Sequence, residues 1–100
     1  MGVEVKFDEG NQYIQIKGEL ICATVMQALE QLTRKGKSLS DWVIDFTGVS
    51  KVDSTAVALL IELKKNVQKS DKTVSFIHLP ETLLTIARLS QVDSLLTENK

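Results

Sequence analysis

The chain has little of what marks secreted, membrane-spanning or nucleotide-binding proteins. Cys22 is its single cysteine, so no internal disulfide can form, and that usage fits a reducing compartment. No apolar run approaches the roughly 20 residues needed to cross a bilayer. The opening residues, MGVEVKF, alternate apolar and charged side chains and show no apolar signal core. Lys6 stands where a myristoylation signal needs Ser or Thr. Net charge is -1 and Lys and Arg are not clustered, which argues against neutralising a phosphate backbone. Neither G-x-x-x-x-G-K nor G-x-G-x-x-G occurs, so the two familiar glycine-rich phosphate loops are excluded. These absences predict a cytoplasmic, soluble chain with no direct membrane insertion, no nucleic-acid partner and no cofactor.

What is present is ordinary globular composition: 43% apolar and 25% charged residues in a length of 100. That length supports one domain, residues 1–100, with one two-layer core. Val3, Val5 and Phe7 alternate with Glu4 and Lys6, and Ile14 and Ile16 resume the alternation after the turn cluster Asp8-Glu9-Gly10-Asn11. This predicts an antiparallel hairpin of residues 3–7 and 12–17. From Thr24 the period changes, and Val25, Ala28, Leu29 and Leu32 form one helical stripe closed by Lys35-Gly36-Lys37. Residues 42–46, WVIDF, read as a central strand covered on both faces, and Gly48–Asp53 as a loop. A second helix runs from Ser54 to about Lys69, followed by a strand over 73–78 parallel to the central one. Pro80 suits the first turn of a third helix, and Val92–Leu96 adds a last turn. The expected architecture is α/β: a mixed sheet of about four strands flanked by three or four helices. Its predicted core includes Val43, Ile44, Leu60, Leu63, Val74, Phe76 and Ile86.

The second helix carries more apolar surface than packing requires. Ala56, Leu59, Leu60, Leu63 and Val67 make one stripe sufficient for the sheet. At about 100° per residue, Ser54, Ala58 and Ile61 share a different face, with Val57 on its flank. That face turns polar at Lys64, Lys65 and Gln68, which confines the apolar surplus to the N-terminal half. Neighbouring loops covering Val57 and Ile61 would account for it; so would a patch for docking a partner. Asp53-Ser54-Thr55 opens this helix. Each side chain can cap a free backbone N–H, and the same hydroxyls can serve as contact or phosphoacceptor at the positive end of a helix. A phosphate there would place new negative charge in an apolar patch and disrupt docking.

Other chemistry-bearing residues are isolated. His78 has no second His or Cys near it in the chain, which speaks against a metal site and for a structural histidine at a strand end. Cys22 lacks a base partner and reads as a small helix-start residue. Trp42 is expected to fill space at the mouth of the central strand, and Asp45 to cap a neighbouring loop or helix. No pair of carboxylates is set for acid–base work, so no catalytic residues are assigned.

The run from Val43 through Asp53-Ser54-Thr55 to Leu60 resembles the signature of STAS domains, the anti-sigma factor antagonist fold. In that pattern an apolar strand ending in Asp leads through a small loop to Asp-Ser/Thr-Ser/Thr/Gly-Gly at a helix start. Gly18-Glu19-Leu20 matches as well. Ala56 replaces the usual Gly after the Ser/Thr pair, and Ile21 an Asp often found after the Gly-x-Leu motif. The segment Phe76-Ile77-His78-Leu79-Pro80, followed by Leu83, Ile86-Ala87-Arg88-Leu89 and Val92-Asp93-Ser94-Leu95-Leu96, is similar to the MlaB branch. The resemblance implies a non-catalytic subunit bound to the cytoplasmic, MlaF-like ATPase of an ABC system that moves phospholipids between the membranes of Gram-negative bacteria. It would then lie peripheral to the inner membrane through that complex. The regulatory branch of the family implies the alternative partners, an anti-sigma factor and a serine kinase, with Ser54 as phosphorylation site. The contact residues implied are Asp53, Ser54, Thr55, Val57, Ala58 and Ile61, with Arg88 from the third helix.

Overall fold

The computed structural model describes residues 2–10, 12–36 and 39–97. Two strands, β1 (Val3–Asp8) and β2 (Tyr13–Leu20), lead to helix α1 (Val25–Gly36), strand β3 (Asp41–Val52) and helix α2 (Ser54–Lys69). Strand β4 (Thr73–Ile77) and helices α3 (Glu81–Leu89) and α4 (Asp93–Thr97) complete the chain. The sheet order is β1-β2-β3-β4; the β1–β2 pair is antiparallel, and β2–β3 and β3–β4 are parallel. This is the mixed four-stranded sheet expected, with four helices.

Both crossovers, through α1 and through α2, step the same way across the sheet. Right-handed connections therefore place the two helices on one face. Burial alternates accordingly along the strands: Val3 and Val5, Ile14 and Ile16, Trp42, Ile44 and Phe46, and Val74 and Phe76 are buried. They meet Ala28, Leu32, Leu60, Leu63, Leu83 and Leu96 from the helices. Phe46 and Phe76 pack edge to face with ring centroids 5.9 Å apart. The central strand is thus covered on one face, not both. Val43 points to the opposite face and is half-buried, as is Ile86; the other five predicted core residues are buried.

The segment Gly48–Val52 is strand, where a loop was expected. It pairs with the tail of β2, Lys17–Leu20, across two register shifts. Gly18 sits at the second shift with φ +98, and a Cβ there would lie 2.3 Å from the carbonyl oxygen of Gly2. Glycine suits this position because a side chain would meet both the strained conformation and the close approach of Gly2. At the other end of the sheet, Gly36 ends α1 without a left-handed turn; its role is packing. A Cβ at Gly36 would come within 2.4 Å of the Trp42 ring. Lys37 falls outside the described residues. Pro80 caps α3 from just outside it, and the strand ends before His78, whose φ is +57. The free edge at β1 is partly occupied: the Val5 N–H donates to the side-chain oxygen of Gln31 on α1, 3.2 Å away.

Candidate partner-docking site

Asp53 leaves β3 in an extended conformation and caps α2. Its Oδ1 accepts the Thr55 N–H at 2.9 Å and also the Thr55 hydroxyl, while Oδ2 accepts the Cys22 N–H at 2.9 Å. One carboxylate therefore fixes the start of α2 and ties it to the turn that leads into α1. The Thr55 hydroxyl and then the Cys22 N–H hold its pKa below the usual carboxylate value, because each bond favours the charged form. Thr24 stabilises the same turn, donating to the Glu19 carbonyl at 2.6 Å and accepting the Ile21 N–H at 3.0 Å.

These bonds divide the Asp-Ser-Thr trio by role. Asp53 is the cap, and Thr55 is half-buried with its hydroxyl committed to Asp53. Ser54 is exposed in the first turn of α2, which leaves its hydroxyl facing solvent. Ala58 lies one turn on and is exposed, and Ile61 beyond it is half-buried against the core. Val57 is corrected: at 5% exposure it belongs to the core and leaves the candidate surface. On a helical projection it falls on the same flank as Lys64, the flank turned toward α4. Lys64 is also buried, its Nζ donating to the Leu95 carbonyl at 2.6 Å, where a solvated face was expected. Arg88 is exposed on α3, which packs beside α2, and its guanidinium reaches Glu81 of its own helix at 3.7 Å. The structure thus joins Asp53, Ser54 and Thr55 closely, aligns Ala58 and Ile61 below them, and holds Arg88 on the neighbouring helix.

Sequence reading did not bring Cys22 to this site, and only its backbone N–H takes part. Met26 was also missed; it is 72% exposed in the first turn of α1, which the Cys22–Asp53 bond fastens to the start of α2. Its signal was available, since Met26 lies off the apolar stripe of α1.

A second polar cluster occupies the face of the sheet away from the helices. Asp45 Oδ1 accepts the Thr47 N–H at 2.9 Å, the Thr47 hydroxyl at 2.6 Å and His78 Nδ1 at 2.9 Å. Burial of Asp45 opposes ionisation, but the bonds from Thr47 and His78 outweigh it and its pKa is lowered. Asp45 thereby braces the β3 turn of strand and the β4–α3 junction, the structural role expected of Asp45 and His78. Among the described residues, no three His, Cys, Asp or Glu side chains are grouped to hold a metal ion, and no helix is long and apolar enough to cross a membrane.

No curated protein sequence matches the chain. Among solved structures, it is similar to the anti-sigma factor antagonist SpoIIAA in its unphosphorylated form, with TM-score 0.63 and 14% identity over 87% of this chain and 82% of that one. At that identity the likeness speaks for the fold. A family model described as "Mlab, STAS domain" matches residues 3–97. With every described element inside that match, the chain belongs to the STAS domain family.

Proposed function

We propose that this chain is a non-catalytic STAS subunit that binds, and stabilises or regulates, the cytoplasmic ATPase of an ABC phospholipid transporter of the MlaFEDB type. The complex would maintain the lipid asymmetry of the outer membrane and hold the chain at the inner membrane's cytoplasmic side. The carrying observation is the exposed hydroxyl of Ser54 set above Ala58 and half-buried Ile61 on a rigidly capped helix. Such a surface offers one hydrogen-bonding group and an apolar strip to a partner, without groups for chemistry. The MlaB-type family match supports the transporter among STAS partners, and Ala56 departs from the glycine of the regulators.

Exposure of the Ser54 hydroxyl at a helix start, together with likeness to an unphosphorylated anti-sigma factor antagonist, favours a second reading: a signalling antagonist switched by phosphorylation at Ser54. Capture of the tagged chain from its native cells separates the two. Recovery of an ABC ATPase in stoichiometric amount supports the first reading; recovery of a serine kinase and an anti-sigma factor in its place supports the second.

A further inference from the structure

The face of the sheet turned away from the helices is bare among the described residues, although three of the four strands run parallel. Sheets of parallel strands are ordinarily covered on both faces. Apolar side chains lie half-buried on this face: Tyr13 beside Val43, one residue ahead of the Ile14–Ile44 pair, and Ile77 opposite Asp45. Next to them Gln15, Lys17, Asp45, Thr47 and Gly48 line a hollow of about 210 Å³.

Three polar groups at this hollow are free. Asp45 Oδ1 holds the bonds from Thr47 and His78, whereas Oδ2 accepts none. That oxygen is open to solvent, because the one buried side-chain polar atom left without a partner among the described residues is Trp42 Nε1. The Gln15 amide and the Lys17 ammonium also have no partner among the described residues. The register sets Gln15 directly across from Asp45, with Lys17 two residues further along β2. Donors on one strand thus stand beside an acceptor on the next, which makes the face complementary to itself. We propose that it pairs two copies of this chain, sheet against sheet in aligned packing. A two-fold axis running between β2 and β3 brings Tyr13 onto Val43 of the second copy and the Gln15 amide onto Oδ2 of that copy's Asp45. Lys17 lies within reach of the same carboxylate, and each contact occurs twice. The helical face stays uncovered, so each copy still presents Ser54, Ala58 and Ile61 to a partner of its own.

Sedimentation equilibrium over a dilution series reads the association. The chain should form a reversible dimer that dissociates on dilution and weakens as salt is raised. Lys17→Glu changes an exposed residue and should keep the parent's circular dichroism spectrum. It should weaken association at least about tenfold, since it sets a second carboxylate against Asp45 of the other copy. Ala58→Asp, on the helical face, should leave the dimer unchanged. Amide shifts that respond to dilution should centre on Tyr13, Gln15 and Val43. The proposal is overturned by a monomer at every concentration up to about 1 mM, by a dimer indifferent to Lys17→Glu, by one that Ala58→Asp breaks, or by shifts confined to the helices.

Discussion

A single carboxylate, Asp53, does three jobs at the residue scale: it caps α2, holds the Thr55 hydroxyl and anchors the turn before α1. Removing such a cap costs about 1 kcal/mol, and Asp53→Ala also releases the Cys22 N–H, so its urea midpoint should fall at unchanged slope. In the folded chain their hydrogen bonds hold the carboxyls of both Asp53 and Asp45 below the ordinary aspartate pKa of 3.8. The unfolded state therefore takes up protons first on acidification. Their contribution is fully present above 3.8 and is lost as pH falls through the lower folded values. Midpoints measured from pH 7 downward should fall less steeply for Asp53→Asn than for the parent; parallel curves would remove the ion from the account. The neighbouring hydroxyl gives a functional prediction. Ser54→Glu should fold normally yet lose partner binding, because it sets a charge in the apolar strip.

At the scale of elements, α2 is where sequence was most legible. Its bounds follow from a strong period and a capping trio, and its core stripe of Ala56, Leu59, Leu60, Leu63 and Val67 is buried. The misreadings in α2 and in Gly48–Val52 involve partners distant in the chain. Val57 and Lys64 lie outside that stripe, and the Lys64 ammonium meets a carbonyl of α4, 31 residues away. Gly48 and Ser50 carry turn chemistry, and only the register of β2 makes their segment a strand. Leu60→Ala should cost about 2–5 kcal/mol, while Val43→Ala, on the half-buried face, should cost clearly less; reversed losses would invert the sheet. Gly36→Ala drives a methyl into the Trp42 ring and should cost about 1–3 kcal/mol through overpacking, seen as a lower thermal midpoint. Ala58→Asp is the cleaner probe of docking than Ile61→Asp, because Ala58 is exposed whereas Ile61 packs against the core. It should abolish ATPase binding with an unchanged circular dichroism spectrum.

For the whole molecule, the alternation of strand and helix foretold a mixed sheet with parallel crossovers, while the strand order β1-β2-β3-β4 comes from the structure. One-sided burial was harder to read, since WVIDF is apolar on both faces and half-buried Val43 looks like core in one dimension. One continuous cluster joins the sheet to all four helices, so the domain should unfold as a unit. Trp42 fluorescence and far-ultraviolet circular dichroism should give coincident denaturation curves; separated transitions would mean that α4, tied through Lys64, melts on its own.

The Gln31–Val5 hydrogen bond reaches beyond stability. A bare outer strand invites a neighbouring chain to continue the sheet, and here one rung of that ladder is already taken by the protein's own glutamine. High local concentration of the chain then carries less risk of strand-to-strand polymerisation. Gln31→Ala would return that rung to passers-by, and the harm would show first as slow light scattering in concentrated samples of a domain that still folds.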